Sequence, residues 1–234
     1  MAERTLRVRR LGRLEYGAAY RIQKETEAEV RERRAPDTLL LVEHPHVLTI
    51  GRRAARGAGL GILASEEELA ARGVSVFETN RGGKMTYHGD GQLVGYPVIN
   101  LSPDREDVHR YVRDLEEVLI RAADDFGVRA FPIEGLTGVH TERGKVAAIG
   151  VHIARWVTTH GFALNVNTDL SYFNLIIACE GEPVTSLQEL LGRETPLREV
   201  EDRVVARFRE VFGMTVDETG AEEDAGLVAV APSA

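Results

Sequence analysis

Residues 144–173 read GKVAAIGVHIARWVTTHGFALNVNTDLSYF. Two runs in this stretch, Lys145–Val157 and His160–Val166, carry β-branched and other apolar residues with little charge. They predict two strands joined by a turn. Working outward, Val108–Phe126 sets Val108, Tyr111, Val112, Leu115, Val118, Leu119 and Phe126 on one face of a helix. Thr195-Pro196 opens a last helix with Leu197, Val200, Val204, Phe208 and Val211 inward. Ser65 with Glu68, and Ser186 with Glu189, are capping boxes closed by Gly73 and Gly192. Leu14–Arg34 reads as a helix ending before Pro36. Thr38–Val42, Val47–Ile50 and Val74–Glu78 read as short strands, and Gly51–Gly61 as a loop. Strands and helices do not alternate regularly, so the pattern predicts one α+β domain, a mixed sheet packed by helices.

The chain has 234 residues, 43% hydrophobic and 28% charged, which fits a globular domain with a sizeable core. Cys179 is its one cysteine, which excludes an internal disulfide and points to a reducing compartment. No apolar run approaches the ~18 to 20 residues of a membrane helix. No apolar stretch follows MAERTLRVRR, so the reading is of a cytoplasmic protein without a secretory leader. The net charge is -8, of which Asp217, Glu218, Glu222, Glu223 and Asp224 supply five negatives. The expected division is a catalytic domain over 1–216 and an acidic, disordered tail over 217–234. Basic residues are 26 Arg and three Lys (Lys24, Lys84, Lys145), so a lysine here is less readily dismissed as surface filler.

Four segments mix reactive side chains with glycine. RGGKMTYHGDGQL (81–93) holds four glycines beside Arg81, Lys84, Tyr87, His88 and Gln92, which fits either close backbone approach to a ligand or a polar hairpin. It lacks the spacing of a phosphate or dinucleotide loop. Lys145 heads an apolar run, as a snorkelling edge residue or a site lysine would. His160, Asn165 and Asn167 stand in an uncharged stretch, where buried amides commonly satisfy backbone groups. Cys179 follows three large apolar residues and precedes a turn, as a buried small hydrophobe or an exposed nucleophile would. His44, His46 and His88 show no metal-ligand spacing with it, so no metal is expected.

Taken together, RGGKMTYHGDGQLVGYPVINL, GKVAAIGVHI, THGFALNVNTDLSYFNLI and the following cysteine resemble the lipoyl(octanoyl) transferases of lipoate biosynthesis, in order from about Leu39 to Leu191. The resemblance implies the catalytic fold of biotin and lipoate protein ligases. It implies an enzyme that moves octanoyl from octanoyl-acyl carrier protein to a lysine of a lipoyl domain, with no cofactor. It places Cys179 as the thioester-forming nucleophile and Lys145 as its partner. It places Arg81, Gly82, Gly83, Lys84, Met85, Thr86, Tyr87 and His88 along the acyl pocket, with Ala148, Ile149, Gly150, His160, Gly161, Phe162 and Ala163 as further substrate contacts. The implied acceptors are lipoyl domains of 2-oxoacid dehydrogenase complexes and the glycine cleavage H protein, with no nucleic acid and no membrane.

The chain departs from that family's pattern at three points. Ala178 stands where proline usually precedes the cysteine, Glu180 separates Cys179 from Gly181, and Asp90 replaces a common proline. Losing the proline frees the turn, and Glu180 beside the thiol works against the thiolate. Two other readings stay open: an ATP-dependent lipoate or biotin ligase, which needs no cysteine nucleophile, and a non-catalytic module that binds lipoyl domains or acyl carriers. The aperiodic loop with Arg52, Arg53 and Arg56 is the candidate docking patch for acidic partners.

Overall fold

The computed structural model describes residues 4–54, 61–177 and 182–217. Its frame is a seven-stranded mixed sheet in the order β10-β1-β2-β6-β9-β8-β7. The strands are β1 (Thr5–Arg13), β2 (Asp37–Glu43), β6 (Gln92–Val98), β7 (Val139–Thr141), β8 (Gly144–Ala154), β9 (Val157–Asn165) and β10 (Thr215–Asp217). β1 runs parallel to β2 and β10, and the other pairings are antiparallel. A small sheet, β4-β3-β5, is built from β3 (Val47–Ile50), β4 (Ser75–Glu78) and β5 (Met85–His88). This is the expected mixed sheet with helices on it.

The period-2 alternation of the strands divides the large sheet between two cores. On one face, Leu39, Leu41, Leu93, Ala147 and Leu164 pack under α3 (Val108–Asp124) and α5 (Leu197–Phe212), which contribute Tyr111, Leu115, Val118, Val204 and Phe208. On the other face, Leu40, Val42, Val94, Tyr96 and Ala163 meet Tyr16, Ala19 and Val30 of α1 (Tyr16–Arg31). α1 packs across β2, β6 and β9 on that face. The small sheet covers the rest, and the space between them becomes the site. Short helices α2 (Glu66–Ala71) and α4 (Leu187–Leu191) carry the expected caps: Ser65 accepts from the Glu68 NH and Ser186 from the Glu189 NH.

The structure corrects the sequence reading in two places. The β8–β9 turn falls at Arg155–Trp156, not between Val157 and His160, so β9 starts earlier than expected. Both turn residues have positive φ, 50° and 62°, the geometry of a two-residue hairpin that usually selects Asn-Gly. Trp156 packs on the helix-side core and its carbonyl accepts from the Leu101 NH at 2.8 Å, contacts that offset the strain of a bulky residue there. The second correction is β1, which the charged RVRR run conceals. Arg10 points inward and is 6% exposed; its guanidinium meets Glu201 at 3.2 Å and Asp202 at 2.7 Å on α5.

Candidate active site

A cavity of about 290 Å³ lies over β6, β9 and β8. That is the small end of ligand-pocket sizes. The strand registers supply its floor: Val94 pairs with Ala163, and Ala163 with Ala148; one row on, Gly161 pairs with Gly150 beside Tyr96. Met85 adds apolar wall, and Ile149 and Phe162 border the cavity from strand positions whose side chains pack in the helix-side core. Tyr16, Leu136, Arg53 and Glu182 also line it, residues that the sequence alone did not place there.

Lys145 reaches this cavity because β8 carries a bulge. Along β8 the odd-numbered Ala147, Ile149, Val151 and Ile153 face the helix side, while Ala148 and Gly150 face the cavity. Strict alternation would send Lys145 to the helix side as well. Instead His140 pairs with Lys145 and Val139 with Ala147, so β8 advances two residues where β7 advances one. The extra residue, Val146, turns into the core and Lys145 turns to the cavity, 7% exposed.

The segment after the cysteine is stitched to the same bulge. The Lys145 NH donates to Pro183 O at 2.8 Å, and the Thr185 NH donates to Lys145 O at 3.0 Å. Residues 183–185 thus extend the sheet locally and deliver the Glu182 carboxylate to Lys145 Nζ at 2.6 Å. Burial pushes the Glu182 carboxyl up, but the hydrogen bond and charge of Lys145 outweigh it and hold it below its usual range. Cys179 lies outside the described residues, as do Ala178, Glu180 and Gly181. Glu182 stands three positions after Cys179 in the sequence.

The glycine-rich segment closes the cavity from above. Arg81 is 7% exposed; Nε and Nη2 donate to Thr49 Oγ1 and Nη2 also to Thr49 O at 2.6 Å. The Gly82 NH donates to Val151 O at 2.9 Å, tying the segment across β8. A Cβ on Gly150 would sit 3.1 Å from Gly82 O, so the crossing is tight at that point. Arg53 rides on the same segment, its NH bonded to Gly83 O.

Behind the cavity a chain of buried amides links β5, β6 and the segment before α4. His88 Nδ1 donates to Gln92 Oε1 at 2.7 Å, Gln92 Nε2 donates to Asn165 Oδ1 at 2.9 Å, and Asn165 Nδ2 donates to Thr185 O at 3.0 Å. His160, at φ 57°, donates its NH to Gln23 Oε1 and holds Asn80 Oδ1 at 2.7 Å through Nε2. Burial above all pushes His88 and His160 down to about 3 and His44 to about 4, so all three rings are neutral at pH 7.

Of the residues expected to meet substrate, Arg81–Thr86, His88, Ala148–Gly150 and His160–Ala163 line the cavity. Tyr87 does not. It points to the back of β5, where its hydroxyl meets His46 Nδ1 at 2.7 Å and its ring stacks on Tyr172. The period of two along the strand sends it there, between cavity-facing Thr86 and His88.

Comparison with known proteins agrees with this geometry. Residues 15–209 match the lipoyl protein ligase A/B catalytic domain. An octanoyltransferase of Solibacter usitatus is 48% identical over 88% of this chain and 92% of its own length. One from Rubrobacter xylanophilus is 50% identical over 89% of this chain and 94% of its own. The fold overlays on a bipartite lipoate protein ligase of Thermoplasma acidophilum with a TM-score of 0.70, at 18% identity over 96% of this chain and 91% of that one. The chain belongs to the lipoyl protein ligase A/B catalytic domain family and, within it, to the octanoyltransferases.

Proposed function

We propose that the chain carries octanoyl from octanoyl-acyl carrier protein to a lysine of a lipoyl domain through a thioester on Cys179. The observation that carries this reading is the buried Lys145 at an apolar cavity, bonded to Glu182 three residues beyond the cysteine. Met85, Val94, Ala148 and Ala163 suit a short hydrocarbon chain and give it no hydrogen bonds to lose. The Arg81–His88 segment closes over that chain.

Cys179, as thiolate, attacks the carbonyl carbon of the donor thioester, and the nearby Lys145 ammonium favours that thiolate. The new carbon–sulfur bond forms as the carrier thiol leaves, taking the proton that Lys145 held. The acceptor amine then attacks the enzyme thioester. Lys145, now neutral, takes a proton from that nitrogen and returns it to the departing Cys179 sulfur. The amide that results makes the sequence favourable, and no nucleotide enters it.

Intact mass after mixing the protein with octanoyl-acyl carrier protein tests the reading. An octanoyl adduct on Cys179 that a lipoyl domain then discharges, without ATP or magnesium, is expected. Product formed only from free octanoate and ATP would instead make the chain a ligase.

A further inference from the structure

β7 buries His140, 3% exposed, without a hydrogen bond to either ring nitrogen among the described residues. Its backbone groups are spent on Phe131. A buried imidazole left unpaired invites an explanation, because an apolar ring would fill the space without stranded polar atoms. The charged groups facing it are Lys145 from β8, Glu116 from α3 and Glu182 from the segment before α4. Glu116 is engaged elsewhere, accepting from the Gly138 NH at 3.0 Å. Glu182 Oε2 is 2.6 Å from Lys145 Nζ and 3.7 Å from His140 Nε2. A single carboxylate oxygen therefore sits between two basic groups, bonded to one and just short of the other.

We propose that Glu182 and His140 are positioning residues for Lys145. Glu182 tethers the Lys145 amine in the cavity, and His140, once protonated, draws that carboxylate away and releases the tether. The inference rests on Lys145 acting as proposed above. With His140 neutral the carboxylate has one cationic partner, and the lysine is held. With His140 cationic the two compete for the same oxygen. Burial and the Lys145 ammonium push His140 below the ordinary histidine range, against the pull of Glu182, so the tether holds at neutral pH and loosens on the acid side.

The test uses the full chain, with single-turnover transfer from preformed octanoyl-enzyme to a lipoyl domain followed from about pH 5 to about pH 8. Glu182→Gln should slow transfer by about 10- to 100-fold, as a misplaced proton acceptor does, with KM for the lipoyl domain changed less than about twofold. Glu182→Asp should recover part of the rate. His140→Phe removes the competing cation without stripping any hydrogen bond, so the acid-side decline in rate should shrink or move to lower pH. Transfer at the wild-type rate in Glu182→Gln, or an unchanged acid limb in His140→Phe, would overturn the inference. A second readout needs no change at position 140: by NMR the His140 imidazole should titrate at lower pH in Glu182→Gln than in the wild type, and an unmoved midpoint also overturns it. Failure to form octanoyl-enzyme in the wild type would instead sink the thioester reading, so the two failures are separable.

Discussion

The far end of the Phe162 ring occupies the space at Gly95 across the β6–β9 pair, so closely that a Cβ at position 95 would stand 2.1 Å from Phe162 Cζ. The absence of a side chain at 95 thus seats a ring of the helix-side core, on the strand whose Gly161 and Ala163 line the cavity from the other face. Gly95→Ala should destabilise the fold by about 1–3 kcal/mol, the usual effect of forcing a methyl into a filled space. It should also raise KM for a medium-chain acyl donor, because displacing the ring shifts β9, whose Gly161 and Ala163 line the cavity. Urea unfolding and steady-state kinetics check both. Wild-type values on both would show that the ring can move aside at little cost.

Cys179→Ala should abolish the acyl adduct and the transfer while leaving the melting temperature close to wild type. Lys145→Arg keeps a cation but stays protonated at neutral pH, so thioester formation should persist while transfer to the amine slows by about 100-fold or more. Rapid-quench measurement of the two half-reactions separates them. Equal slowing of both would assign Lys145 to thiolate stabilisation alone.

His44, His88 and His160 couple stability to acid. Their folded-state values, about 4, 3 and 3, lie below the ordinary histidine value of about 6.5 in the unfolded chain. The unfolded state therefore binds more protons between those limits. The stability these neutral rings confer is complete above about pH 6.5 and is lost as pH falls toward about 3 to 4. Each ring adds a slope of up to roughly 1.4 kcal/mol per pH unit. Urea titrations at successive pH values should show stability falling steeply below about pH 6, and His88→Gln should lower that slope by about one ring's share. A flat profile down to pH 5 would contradict neutral burial.

Docking offers a fourth prediction. Arg52 and Arg53 are exposed and backed by the Arg81–Lys84 segment, and Arg53 lines the cavity. Arg56, expected in the same patch, lies outside the described residues. If the patch steers an acidic carrier, Arg52→Ala with Arg56→Ala should raise KM for octanoyl-acyl carrier protein and flatten its dependence on salt. A small octanoyl thioester should respond little. Equal effects on both donors would relocate the patch.

Helices were the most legible part of the sequence, because their evidence is local. The apolar faces of α3 and α5 and the Ser65 and Ser186 caps are written within a few consecutive residues. β1 was not legible: Arg10 looks like a surface residue until Glu201 and Asp202, some 190 positions later, arrive beside it. The chemistry divides the same way. The glycine-rich segment, Lys145 and the β8–β9 motifs could be singled out in the sequence, but their roles came from the resemblance to the lipoyl(octanoyl) transferases. Glu182 and His140 could not, since what singles them out is one shared oxygen. Tyr87 misled because motif membership says nothing about which side of a strand a residue faces.

The bulge in β8 has a consequence of another kind. In a pleated strand, inside and outside are a matter of parity, and the extra Val146 works as a frameshift in that count. No point substitution among residues 145–147 can imitate or undo it, since exchanging side chains leaves the count alone. Deleting Val146 would remove the bulge and leave Lys145 next to Ala147, still on the cavity side, whereas regular pairing with Val146 kept in the count would turn the lysine toward α3. The orientation of Lys145 therefore depends on the bulge absorbing one residue, and not on which side chain that residue carries.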